Sequence, residues 1–74
     1  MELHSERESY RATIQLRTPD GALSTLIVLR RGRGHDERVW LTFDGAIKTT
    51  IMMDNRESEK VISMIEAAQR GGRS

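Results

Sequence analysis

The first third of the chain alternates between apolar and polar residues. From Tyr10 to Leu16 every second residue is apolar and the residues between are polar, which is the period of a strand with one buried face. Residues 18–21 (TPDG) form a turn sequence, because Pro fixes φ, Asp bonds its own backbone and Gly accepts a left-handed conformation. We therefore predict a hairpin whose second strand runs from about Ala22 to Arg30.

The register of this hairpin follows from its turn. A three-residue loop with a bulge at its glycine brings apolar residues opposite each other. The predicted pairs are Thr18 with Ala22, Ile14 with Leu26, and Ala12 with Val28. The second strand is also apolar on its other side, where Leu23, Ile27 and Leu29 lie.

A second hairpin follows a charged loop. Residues 31–37 (RGRGHDE) have the composition of a mobile loop or a wide hairpin end. A third strand from Arg38 to Phe43 places three apolar residues on one side and Trp40 on the other. Asp44-Gly45 is a strong hairpin signal, and a three-residue loop with the glycine in a bulge sets a fourth strand from Ala46 to Met53. The predicted pairs are Leu41 with Ile47 and Val39 with Thr49.

The last third of the chain has the period of an amphipathic helix. Asp54 followed by Glu57 has the spacing of a capping box, which predicts that the helix starts there. Apolar or small residues recur at steps of three and four, and charged residues occupy the opposite side. Gly71-Gly72 ends the helix. The stripe expected to face the sheet consists of Ser58, Val61, Ile62, Ile65 and Ala68.

Four strands and one helix in this order predict an α+β fold. The sheet is a four-stranded antiparallel meander made of two β-hairpins, and the C-terminal α-helix packs on one of its faces. In this organisation residues 1–9 form a flexible N-terminal arm, residues 10–70 a single β-β-β-β-α domain and residues 71–74 a disordered tail. Alternation alone does not decide which faces of the two hairpins coincide.

One helix covers one face of the sheet, so the opposite face is the main candidate for an interaction surface. Trp40 alternates away from the better apolar side, and an exposed patch with a tryptophan is typical of protein interfaces. A chain of 74 residues gains little from its own core and usually needs further stabilisation. We expect a homodimer through this face, which leaves the arginine loop or the helix surface for an unidentified protein partner. The alternative is that this face itself binds another protein. The interface residues are Trp40, Met52, Leu23, Ile27 and Leu29.

Few residues can support catalysis or hold a cofactor. The sequence has no Cys, which excludes disulfides and thiolate metal sites, and its two histidines are His4 and His35. His35 precedes two carboxylates, but neighbouring residues in one loop do not converge on a metal. The sequence contains no nucleophile elbow or phosphate loop. We therefore expect a non-enzymatic regulatory or adaptor module without metal or cofactor.

The charge pattern leaves nucleic acid as an alternative partner. Lys plus Arg number 12 and Asp plus Glu 11, which is too even for a general polyanion binder. Four arginines nonetheless cluster near the wide hairpin end, and exposed aromatics of a sheet can stack bases. The alternative hypothesis is a single-stranded DNA- or RNA-binding transcriptional regulator. It would use the sheet face and Arg30, Arg31, Arg33 and Arg38.

The order of elements from Tyr10 to Gln69 resembles that of the small single-strand DNA-binding transcriptional coactivators. The resemblance rests on the layout of strand, polar cap and helix in residues 48–59 (KTTIMMDNRESE), and it includes no diagnostic motif. It implies a dimer that binds DNA across its sheets, and it assigns no binding residues to this chain.

No stretch of the sequence has the character of a membrane span or a secretory leader. The longest apolar run, Leu26 to Leu29, is far shorter than the roughly 20 residues that span a bilayer. The first eleven residues are mostly polar and charged. Arginine outnumbers lysine, which favours an origin in a GC-rich bacterial genome. We expect a small cytoplasmic bacterial protein without membrane contact.

Overall fold

The computed structural model describes residues 7–71, which form the predicted α+β architecture. Each strand pairs antiparallel with the next in the chain, so the sheet is a four-stranded meander. Residues 1–6 of the predicted arm, with His4, and residues 72–74 of the predicted tail lie outside the described part. The elements are β1 (Arg7–Arg17), β2 (Leu23–Gly32), β3 (Arg38–Gly45), β4 (Thr49–Met53) and helix α1 (Asn55–Gln69).

The first hairpin has the predicted register. Its turn is closed by the Thr18 N–H, which donates to the Ala22 carbonyl oxygen at 2.9 Å. β1 begins at Arg7, three residues before the alternating pattern, because its first residues pair with the end of β2. A bulge between Glu8 and Tyr10 separates this extension from the rest of the strand. The pairs confirmed are Ile14 with Leu26 and Ala12 with Val28.

A wide hairpin end connects β2 to β3, and it contains a short 3₁₀ turn at Gly34–Asp36. β2 continues to Gly32, two residues beyond its predicted end. Gly32 has a φ of +121°, and a Cβ there would lie 2.6 Å from the Asp36 carbonyl oxygen. Glycine therefore allows the loop to fold back closely on the strand.

The register predicted for the second hairpin is wrong by four residues. β4 starts at Thr49, three residues later than predicted, and the connecting loop is correspondingly longer. The observed pairs are Leu41 with Ile51 and Val39 with Met53, in place of Leu41 with Ile47 and Val39 with Thr49. Because four is an even number, the shift leaves Ile51 and Met53 on the predicted side of the sheet.

Contacts with β2 explain the longer loop. Gly45 pairs with Ser24 and so extends β3 instead of forming a tight turn. The Ala46 N–H donates to the Leu23 carbonyl oxygen at 3.0 Å. The buried Ser24 hydroxyl donates to the Ile47 carbonyl oxygen at 3.2 Å. These long-range hydrogen bonds hold the dipeptide in the sheet, although its local sequence favours a turn.

Helix α1 begins at the predicted capping box. Asp54 Oδ1 accepts a hydrogen bond from the Glu57 N–H at 2.8 Å, and Glu57 Oε1 accepts one from the Asp54 N–H at 3.0 Å. The helix lies against β3 and β4. Of the predicted stripe, Ala68 is exposed and does not line the groove against the sheet. The members that face the sheet are Ser58, Val61, Ile62 and Ile65.

The described residues bury few apolar side chains. Among them only Leu29 and Met53 are buried, and no side chain in this part of the chain is fully enclosed. Ten large apolar side chains are between 40% and 58% exposed. The backbone ladder of the sheet is complete, but a single copy lacks the close-packed interior that normally stabilises a domain.

Candidate interaction surfaces

An open apolar groove lies between α1 and the first hairpin. Its volume is about 590 Å³, within the range of ligand and partner sites. The wall that α1 contributes is formed by Val61, Ile62 and Ile65. The floor is the face of the sheet that we call the helix side, which includes Tyr10, Leu26, Val28, Val39, Leu41 and Met53.

The helix side and α1 together carry most of the exposed large apolar side chains. Four of the ten lie on the helix side of the sheet and two on the wall that α1 contributes to the groove, whereas two belong to the opposite face of the sheet. Alternation and helix periodicity place all six toward an expected core, so sequence reasoning did not identify them as exposed. The signal that could have revealed them was the width of the sheet, which exceeds what one helix can cover. The six are Tyr10, Ile14, Leu16, Ile51, Ile62 and Ile65.

The other face, which we call the Trp40 face, collects the five residues predicted as an interface. Leu29 pairs with Trp40 and Trp40 with Met52, so these three form one row across β2, β3 and β4. Ile27 lies in the adjacent row, and Leu23 lies at the far end of β2. The structure thus determines how the two hairpins align. Within this set Leu29 is buried, Trp40 and Ile27 are half-buried, and Leu23 and Met52 are exposed.

An arginine covers part of the tryptophan. The guanidinium carbon of Arg31 lies 5.3 Å from the centre of the Trp40 ring, a cation–π distance. The contact contributes to the half-buried state of Trp40 on a face that no other described element covers.

The four arginines proposed for nucleic-acid binding do not lie on one surface. Arg30 belongs to the helix side, where it contacts Glu37 Oε1 at 3.2 Å and Asn55 Oδ1 at 3.3 Å. Arg31 lies on the Trp40 face, and Arg38 is paired with it across β2 and β3. Arg33 is exposed in the loop. The structure therefore brings together Arg31 and Arg38 only.

Two arginines of β1 join them on the Trp40 face. Arg11 pairs with Leu29 and Arg17 with Leu23. Arg11 Nε donates to Glu8 Oε2 at 2.7 Å, and this hydrogen bond holds the pKa of the Glu8 carboxyl below its usual value. Among the described residues this face carries four arginines against two carboxylates, Glu8 and Asp44, so its charge is positive.

The described residues contain no cluster of three or more His, Cys, Asp or Glu side chains able to hold a metal ion. His35 lies in the 3₁₀ turn, where its carbonyl oxygen accepts a hydrogen bond from Arg38 at 3.1 Å. The helix in the described part of the chain is too short and too polar to cross a membrane.

Comparison of the chain with protein-family models, with curated proteins and with solved structures found no match in any of the three.

Proposed function

We propose that this protein is a small, non-enzymatic regulatory or adaptor module that acts as a homodimer. The observation that supports this proposal is the distribution of apolar side chains. The described residues bury only Leu29 and Met53 among their apolar side chains, while ten large ones remain about half-exposed. Small domains with so little core are usually stabilised by a disulfide, a metal or a further subunit. The sequence has no Cys, which leaves a further subunit as the simplest source of stability.

The homodimer leaves a surface for a partner protein. The Trp40 face presents a tryptophan, flanking aliphatic side chains and arginines, a combination typical of interface hot spots. If the second copy binds the helix side, the Trp40 face of each copy points outward. The proposed adaptor therefore has two identical partner sites.

Light scattering coupled to size exclusion tests the homodimer directly. At tens of micromolar the full chain is expected to elute with twice the 8.4 kDa mass of the monomer. A monomer that is folded by circular dichroism at this concentration contradicts the proposal.

The partner site is tested with a surface variant. Trp40→Ser is expected to keep the dimer mass and to lose a protein that the wild-type chain retains from nuclease-treated host extract. Met64→Ser is the matched control, because Met64 is an exposed apolar residue of α1 outside the groove. Equal retention by both variants would argue against a partner at the Trp40 face.

A second candidate function is the binding of single-stranded DNA or RNA. The observation that favours it is the positive charge of the Trp40 face, which carries four arginines, with Arg31 against the ring of the only tryptophan. Arginine side chains neutralise phosphates and an aromatic ring stacks on bases, which together bind single strands with little sequence preference. Arg31 would have to move from the ring to admit a base.

Oligonucleotide binding distinguishes this candidate from the first. If the Trp40 face binds single strands, Arg31→Ala weakens binding and lowers the slope of log K against log salt by about 0.7 for each phosphate that is no longer neutralised. Arg70→Ala removes the same charge from the exposed end of α1 and should leave both quantities unchanged. Failure of the wild-type chain to bind at low salt removes this candidate.

A further inference from the structure

We infer that the second copy binds through the first hairpin, whose helix side packs face to face against the same hairpin of the partner. This inference rests on the proposed homodimer and identifies its interface. The interface, which we call the hairpin patch, consists of Tyr10, Ala12, Ile14, Leu16, Leu26 and Val28.

The sheet is wider than the area that one helix can cover. Strands lie about 4.8 Å apart, and a helix with its side chains is about 10 Å wide, so one helix covers about two strands. Helix α1 lies against β3 and β4, and the groove separates it from β1 and β2. The helix therefore leaves the part of the helix side formed by β1 and β2 uncovered, and this part is the hairpin patch. Ile51 of β4 is the one further exposed large apolar side chain of this sheet face among the described residues.

The hairpin patch is uncharged and almost entirely apolar. None of its six residues is charged, and the Tyr10 hydroxyl is the only polar side-chain group among them. The nearest arginine on this side, Arg30, is bound to Glu37 and Asn55. A charged partner surface would lose its hydration here without gaining an ion pair. The hairpin patch of a second copy offers the same uncharged surface. Two-fold symmetry packs the two patches against each other without bringing like charges together.

A partner hairpin and helix α1 would form layers of equal height on the sheet. Packed sheets are separated by about 10 Å, which is also the height that a helix occupies on a sheet. The partner hairpin can therefore lie beside α1 at the same level, where the exposed Ile62 and Ile65 line the groove. The charged side of the helix, with Glu59, Glu66 and Arg70, then stays in water. Stacking a sheet on top of α1 would bury that charged side.

The Trp40 face is the rival surface, and the exposure pattern disfavours it. Of its five apolar members only Leu23 and Met52 are exposed, and the same face carries four arginines, of which Arg17 pairs with Leu23. Pairing this face with itself across a two-fold axis would bring arginines of the two copies together. The hairpin patch avoids this repulsion.

The experiment compares two glutamates on opposite faces of one hairpin. Ile14 and Leu23 are 56% and 52% exposed in a single copy, so neither substitution removes much packing within that copy. Ile14→Glu places an unpaired carboxylate in the proposed interface of both copies and is expected to raise the dimer Kd on the order of a hundredfold. Leu23→Glu is expected to leave the Kd within a few-fold of the wild type. Light scattering over a dilution series gives both values.

Covalent cross-linking tests whether the hairpin patch is the interface even if Ile14→Glu fails to fold. Because the sequence has no Cys, single cysteines can be placed without background. Ile14→Cys is expected to form a covalent dimer with a bismaleimide whose span matches the roughly 10 Å separation of packed sheets. Thr13→Cys, on the adjacent residue of the opposite face, is expected to remain uncoupled.

The outcomes separate the inference from the proposal on which it rests. A wild-type chain that is monomeric at every concentration overturns both. A wild-type dimer that Leu23→Glu dissociates, or that couples through Thr13→Cys and not through Ile14→Cys, keeps the homodimer and overturns the hairpin patch. A dimer that is lost with Ile14→Glu and coupled through Ile14→Cys supports both.

Discussion

Two glycines with a positive φ, one at the end of β3 and one in the first turn, differ in what surrounds them. Gly45 has a φ of +150°, and a Cβ there would lie 2.7 Å from the Leu23 carbonyl oxygen and 2.8 Å from the Ser24 Cα. Gly21 has a φ of +92°, but the space around its Cα is open. The positive φ favours glycine at both positions. Only at Gly45 does the absence of a side chain also allow two strands to approach each other closely.

Alanine at the two positions should therefore have unequal effects. Gly45→Ala is expected to lower the free energy of unfolding by about 3 kcal/mol or more, because the atoms that it meets are backbone and cannot move aside. Gly21→Ala is expected to lower it by about 1 kcal/mol, the strain of a left-handed residue alone. Urea unfolding at one fixed protein concentration measures both. Similar losses at the two positions would contradict the close approach at Gly45.

The first turn should make stability depend on pH. Asp20 accepts hydrogen bonds from the Thr18 hydroxyl and, at 3.3 Å, from the Ala22 N–H, and these lower the pKa of its carboxyl. The unfolded chain has the ordinary Asp pKa of about 3.9 and so binds a proton first as pH falls. The stabilisation is present above that pH and is lost as pH drops through the lower folded pKa.

Asp20→Asn isolates this contribution, because the amide keeps an acceptor oxygen and does not titrate. The wild type is expected to lose stability more steeply than Asp20→Asn below about pH 4, and the two curves should run parallel near neutral pH. Urea unfolding midpoints across this range give the comparison. Parallel curves at all pH values would show that the Thr18 contact does not act in solution.

At the scale of elements, the two hairpins differ in how far local sequence determines them. The first closes through bonds within its own turn, from Thr18 to Ala22, and its register could be predicted. The second closes through β2, where Ser24 and Leu23 bind the residues after Gly45. These hydrogen bonds join residues that are more than twenty positions apart in the sequence. The Asp44-Gly45 dipeptide alone therefore predicted a loop that is too short.

The candidate site shows the same division. Alternation could group Leu23, Ile27 and Leu29 within one strand and Trp40 with Met52 in the second hairpin, because strand faces follow from a period of two. The pairing of Leu29 with Trp40 then shows that the two groups share one face. Alternation could not show that the helix leaves β1 and β2 uncovered, since the position of α1 depends on packing. For this reason the sequence directed attention to the Trp40 face, and the larger open surface lies on the helix side.

The helix depends strongly on its first turn. Its apolar residues are only partly buried, so the capping box supplies a large share of what fixes its start. Asp54→Ala is expected to lower the free energy of unfolding by about 1 kcal/mol and to reduce the circular dichroism signal at the helix minimum. Glu59→Ala, an exposed charge outside the cap, is the control and should change neither quantity. Equal effects would contradict a specific capping role.

At the scale of the whole molecule, folding and association are expected to be one process. The described part of a single copy encloses no side chain completely, and in the proposed homodimer the second copy would supply this missing interior. The thermal midpoint of the wild type should therefore rise with protein concentration. The midpoint of Ile14→Glu should be lower and should depend less on concentration. A wild-type midpoint that is independent of concentration would indicate a monomer that is stable alone.

The bulge between Glu8 and Tyr10 has a consequence for how such a protein avoids aggregation. Within the described residues β1 pairs with β2 only, so its other edge can accept strands from any other chain. The bulge interrupts the regular spacing of that edge, and the ion pair of Glu8 with Arg11 places charge beside the interruption. Face-to-face packing of two hairpin patches is complete with two copies. Strand pairing at the outer edge of β1 can instead continue from one copy to the next without limit. An irregular, charged outer strand therefore favours a closed dimer over a growing fibre.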